Sequence, residues 1–150
     1  MKHTALLCTF LFFYVSSGAQ TSRFDKRLAD SLAADKYGMK KYTLVMLRSG
    51  TDSTVSKSSR DSLFAGHMQN IGRLVKEGKL IVAGPLGKND KAYRGIFILN
   101  VSAQEEAEKL LQTDPAIAAK LLVPEIFSWY GSAALPLYLP YHDRLQEKSF

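Results

Sequence analysis

Apolar residues recur along this chain in short blocks separated by polar turns, and the period within each block predicts its structure. Tyr42 to Arg48 (Tyr-Thr-Leu-Val-Met-Leu-Arg) is rich in β-branched and apolar residues and reads as a strand. The polar stretch Ser49 to Ser56 reads as a loop. Leu63, Phe64, Met68, Ile71, Leu74 and Val75 then return at helical spacing. Ser58 or Ser59 is placed to cap that helix, with Asp61 in its first turn, and Gly78 is placed to end it after Glu77. Leu80 to Ala83 and Gly95 to Val101 are two apolar strands flanking the turn signals Gly84-Pro85 and Gly87 to Asp90, so a hairpin is expected. Ser102 with Glu105 has capping-box spacing and opens a helix through Ala107, Leu110 and Leu111. Leu121 to Tyr130 is the last strand, and Pro124 within it predicts an edge or a bulge, because proline cannot donate to a ladder.

The order is β-α-β-β-α-β, that of the ferredoxin-like, split βαβ arrangement: one antiparallel sheet with two helices on one face. A sheet with its other face in water should alternate apolar and polar residues. Here both faces are apolar: Leu44 and Met46 against Val45 and Leu47, Ile96 and Ile98 against Phe97 and Leu99. The second face is therefore expected to be covered, most simply by a second copy of the chain.

Segments outside this frame differ in character. Residues 1–19 read as a signal peptide: Lys2 and His3, an apolar run from Ala5 to Val15, then Ser16-Ser17-Gly18-Ala19 for cleavage. The run is shorter than the ~20 residues of a spanning helix, which favours a cleaved signal peptide over the alternative of an uncleaved anchor. The expectation is an exported protein, periplasmic or secreted, with no membrane attachment after cleavage. Residues 20–40 are polar, with Phe24, Leu28, Leu32 and Tyr37 at helix-like spacing, and predict a short amphipathic helix ending at Gly38, outside the core. Residues 41–130 form the domain. The tail 131–150 carries Leu135 to Tyr141, too apolar for a free end, and is expected to pack on the domain or on a partner subunit.

Composition narrows the chemistry. Cys8 is the only cysteine and lies in the apolar run, so the mature chain has no disulfide, thiolate metal site or cysteine nucleophile. The net charge of +6 falls to +5 without Lys2, and the basic residues are scattered, which argues against nucleic acid as a partner. His67 and His142 show no ligand spacing with carboxylates, so no metal site is expected. Gly84-Pro85-Leu86-Gly87 lacks the lysine-serine ending of a phosphate loop. Arg94 to Val101 resembles an RNA-recognition strand, but Ile96 and Ile98 stand where its base-stacking aromatics are needed.

The candidate chemistry centres on His67 and Asp114. His67 lies four residues after Leu63 and four before Ile71, on the apolar face of its helix. An unpaired polar group there costs about 1–3 kcal/mol, so a partner is required. One reading is a structural histidine; the other is a general base. Asp114 before Pro115 suits a helix N-cap, and its carboxylate also suits a histidine ring N–H, fixing the tautomer and stabilising the imidazolium. Arg94 is a candidate for binding an anionic substrate, and otherwise a surface arginine. Ser128 shares a strand face with Ile126 and Tyr130 and is a second candidate substrate contact, otherwise a rim residue. Trp129 is expected in the core or at a dimer interface, and His142 in solvent.

Gly66-His67-Met68-Gln69-Asn70-Ile71, Glu77 to Pro85, Arg94 to Ile98 and Thr113-Asp114-Pro115-Ala116 resemble, in order, the motifs of the YCII-related family across roughly residues 41–130. The resemblance implies a dimeric α/β barrel, two ferredoxin-like sheets packed face to face, with a site built on a histidine and an aspartate that map to His67 and Asp114. The signal peptide, residues 20–40 and the apolar tail depart from the simplest members, and Lys120 stands where a glycine is expected. Most members of that family have no assigned reaction. The leading reading here is a homodimeric enzyme that needs no cofactor, in which His67 moves a proton of a small organic substrate and Asp114 orients the ring; isomerase- or lyase-like chemistry is an analogy with muconolactone isomerases. The alternative is a non-catalytic exported binding or dimerisation module with a structural His-Asp pair.

Overall fold

A computed structural model describes residues 24–51 and 55–148, so the proposed signal peptide lies outside the described residues. The chain begins with α1 (Lys26–Ser31), capped by the Asp25 carboxylate on the Leu28 N–H. It buries no residue, as expected of a segment outside the core. It ends at Ser31 rather than Gly38, because the chain turns at Ala33 with φ 54°. Gly38, with φ 72°, instead starts the run into the first strand.

Four strands form one antiparallel sheet. They are β1 (Met39–Ser49), β2 (Leu80–Pro85), β3 (Tyr93–Leu99) and β4 (Leu122–Ser132), in the order β2-β3-β1-β4. Gly84 and Pro85, expected in the turn, complete β2. β1 is central, with Val45 opposite Phe97 on one side and Ile126 on the other. β4 is an edge strand, which accommodates Pro124.

The helices cover one face. α2 (Lys57–Lys76) follows β1 and is capped by the Ser56 hydroxyl on the Ser59 N–H, not by Ser58 or Ser59. It ends where Gly78 takes φ 66°, a conformation that costs glycine little. α3 (Gln104–Gln112) starts after Ala103 with no side-chain cap, so the Ser102–Glu105 box is not formed. Glu105 and Glu106 instead lie in its first turn, where the helix dipole favours negative charge. A short α4 (Pro115–Ala118) follows, capped by Asp114. The chain leaves α4 through a Schellman turn: Leu121 N–H donates to the Ala116 carbonyl, and Lys120 N–H to that of Ile117. Lys120 carries the φ of 57° that this turn demands, a conformation that glycine adopts at least cost.

Val45, Leu47, Phe97, Leu99 and Leu80 from the sheet pack with Leu74, Leu111 and Ile117 from the helices. On the opposite face Leu44, Met46, Ile96 and Ile98 are only half-buried, and Phe127 is 47% exposed. Trp129 is half-buried beside the buried Tyr42, with ring centroids 5.6 Å apart, so it is not a core residue of the single chain. After β4 the tail forms a 3-10 turn (Leu135–Tyr138) and α5 (Leu139–Leu145). The Tyr138 hydroxyl bonds the carbonyl of buried Ile81, so the tail meets the domain there.

Candidate functional site

The buried residues of α2 are His67, Asn70 and Leu74, one stripe in which two of three members are polar. Each polar member needs a buried partner, and α4 supplies it. Gly66, one residue before His67, faces Pro115, and a Cβ there would stand 2.9 Å from the proline Cγ. This close approach brings the start of α4 against the middle of α2.

Asp114 is 1% exposed and accepts four hydrogen bonds. Its Oδ1 takes the backbone N–H groups of Ala116 at 2.9 Å and Ile117 at 3.3 Å. Its Oδ2 takes His67 Nδ1 at 2.6 Å and Asn70 Nδ2 at 3.4 Å. The helix-capping and histidine-binding readings of Asp114 therefore hold together, one on each oxygen. A carboxylate that only accepts places the proton on Nδ1 and leaves the Nε2 lone pair free.

The imidazole lies between two aromatic rings. Phe97 stacks at 5.8 Å between centroids, and Phe64 meets the ring edge-on at 6.1 Å. His67 is 9% exposed. Among the described residues Nε2 has no hydrogen-bond partner. A ring fixed at Nδ1 can accept a proton at Nε2 and return it.

Asn70 extends the cluster outward. Arg73 Nη2 donates to Asn70 Oδ1 at 2.7 Å and to Thr113 Oγ1 at 2.7 Å, while Nη1 holds the Glu77 carboxylate at 2.8 and 2.9 Å. A shallow cleft lined by Gly66, Gln69, Asn70, Arg73, Thr113 and Pro115 opens on this side. Neither it nor a second groove along α2, from Ala65 to Glu77, has His67 or Asp114 in its wall. Asn70 is absent from the sequence-based candidates, although it sits three residues after His67 and lies on the same helical face.

The other candidates stand apart from this cluster. Arg94 is exposed at the start of β3, and its side chain makes no hydrogen bond or ion pair among the described residues. Its backbone carbonyl accepts the Leu86 N–H. Ser128 is exposed on β4 opposite Thr43 and has no side-chain bond to the pair. His142 is exposed, its ring edge-on to Tyr138. Among the described residues no cluster of three or more histidine, cysteine or acidic side chains has the arrangement of a metal site, and no helix is long and apolar enough to cross a membrane.

Fold and cluster together define a ferredoxin-like α+β domain with a buried His-Asp pair between its first long helix and the segment before its last strand. The family model of the YCII-related domain matches residues 43–130, more than half of the chain, and the protein belongs to that family. A solved structure of 5-chloro-2-hydroxyhydroquinone dehydrochlorinase from Burkholderia phenoliruptrix, in complex with 2,5-dihydroxybenzoquinone, is similar at 21% identity. The likeness has a TM-score of 0.42 and covers 58% of this chain and 92% of that one. No curated protein matches.

Proposed function

We propose that this protein is a small-molecule enzyme in which His67 moves a proton through Nε2 and Asp114 holds the ring. The carrying observation is the 2.6 Å hydrogen bond from Nδ1 to a carboxylate that is otherwise fully engaged. It fixes the tautomer that a general base needs. In the reaction, Nε2 takes a proton from a carbon next to an activating group. The resulting imidazolium faces the Asp114 carboxylate. Returning the proton to another carbon is an isomerisation; giving it up with a departing group is an elimination. Arg94 and Ser128 remain proposed substrate contacts, accessible but unattached to the pair.

We read the active form as an exported homodimer. The half-buried Leu44, Met46, Ile96 and Ile98 and the exposed Phe127 support a second copy on that face. The apolar run after Lys2 supports export. Sedimentation of the mature chain tests the dimer: a single species of monomer mass contradicts it.

A second reading is favoured by the capping bonds from Ala116 and Ile117 to Asp114. On it, the pair is a structural tie in a non-catalytic binding or dimerisation module. A thermal-shift screen of small organic compounds, followed by turnover assays on hits, separates the two. The enzyme reading expects His67→Gln to stay folded and lose about 100-fold or more of turnover, the usual scale of acid–base catalysis. Turnover retained in folded His67→Gln overturns it.

A further inference from the structure

We infer that Asn70 is a positioning residue of the proposed proton-transfer site, an inference that rests on the reading of His67 as the base. Arg73 presents only donors, so the Asn70 atom facing its Nη2 at 2.7 Å is the amide oxygen. The amide is thereby fixed, and its NH2 end faces Asp114 Oδ2, the oxygen that holds His67. With Asn70 in place, that carboxylate has two donors on each oxygen. It cannot turn about its Cβ–Cγ bond without breaking at least one of them. Asn70 thus resists rotation that would carry Oδ2 away from Nδ1. The clamp is anchored outside the core, because Arg73 is held in turn by Glu77 and by Thr113, the residue before Asp114. The Thr113 hydroxyl accepts from Arg73 and has one proton to give, to the Leu110 carbonyl at 2.6 Å or to Asn70 Oδ1 at 3.0 Å.

The test is the state of the His67 ring in the full-length protein, read by long-range 1H–15N correlation with His67→Gln used for assignment. Asn70→Asp keeps an acceptor for Arg73 and Thr113 and replaces the donor facing Asp114. Asn70→Leu removes both ends. In each folded variant the Nδ1–H signal is expected to broaden, and the two ring nitrogens to move toward each other as the tautomers exchange. A purely structural role lowers the melting temperature and leaves those shifts in place. Wild-type ring shifts in either folded variant overturn the inference, and so does unfolding of both variants, which makes Asn70 a scaffold residue. The two readings fail separately. Unchanged shifts with turnover lost in His67→Gln remove only the role of Asn70. Loosened shifts with turnover retained in His67→Gln remove only the proton-transfer reading.

Discussion

A Cβ placed on Gly66 would stand 2.9 Å from the ring Cγ of Pro115, closer than side chains in contact normally approach. The separation of α2 and α4 is therefore set by a glycine, one residue from His67, against a proline, one residue from Asp114. Alanine at position 66 gains up to about 1 kcal/mol of helix propensity. Overpacking against a rigid ring costs about 1–3 kcal/mol. Gly66→Ala is thus expected to lower stability by about 1 kcal/mol net, measured by denaturant unfolding, and to shift the His67 ring signals.

Asp114 serves a helix start with one oxygen and a histidine with the other, and two substitutions separate these duties. Asparagine caps helices about as well as aspartate but offers no charge to the imidazole. Asp114→Asn is expected to cost about 1–3 kcal/mol through the weakened buried pair. Asp114→Ala also loses the cap, adding about 1 kcal/mol. Equal losses in the two variants, by thermal or urea unfolding, contradict the double role.

The junction between the N-terminal segment and the sheet carries its own pH dependence. Asp35 accepts the hydroxyl of Tyr130 and the N–H groups of Tyr37 and Met39, and the tyrosine bond is the chief reason its carboxyl lies below the ordinary 3.8. The same bond holds the Tyr130 phenol above its ordinary 10.0. The carboxyl's contribution is present above pH 3.8 and is lost as pH falls through its lowered value. The phenol's contribution is present below pH 10.0 and is lost as pH rises through its raised value. Amide protection at Met39 and Lys40, taken as exchange relative to the intrinsic rate at each pH, is expected to fall at both extremes. Tyr130→Phe should remove the alkaline limb and reduce the acid limb, which keeps the two backbone bonds.

Lys120 bears a left-handed φ that L side chains resist at about 1–2 kcal/mol. Glycine escapes that cost but gives up about 0.5–1 kcal/mol of chain entropy. Lys120→Gly is expected to raise stability by about 0.5–1 kcal/mol, visible as a higher melting temperature with unchanged His67 ring signals. A lower melting temperature contradicts the strained-turn account.

These particulars mark where sequence patterns sufficed. The periods of β1 and α2 are legible because Val45 and Leu47 of β1 and Leu74 of α2, with the partly buried Leu63, Phe64, Ile71 and Val75, pack on one core, although Met68 of the same helical pattern is exposed; Gly78 and Pro124 act through backbone rules that tertiary context does not change. Cap identity is less legible: Ser56, Ser58 and Ser59 are all serines at the start of the helix, and the one that caps it is Ser56. Ser102 fails as a cap because α3 starts one residue later. The meeting of His67 and Asp114 is an expectation with a physical motive, the cost of an unpaired polar group on an apolar stripe. The same motive applied to Asn70 three residues on would have added it. Arg94 and Ser128 carry no such signal, since exposed polar side chains need no partner, and the sheet places neither in bonding contact with the pair.

The account rests on which nitrogen of His67 carries the proton. Long-range 1H–15N correlation of the wild-type protein, at a pH where the ring is neutral, reads this directly. The account predicts a protonated Nδ1 with a low-field proton signal from its bond to Asp114, and a bare Nε2. A proton on Nε2, or rapid exchange between the two nitrogens, contradicts it.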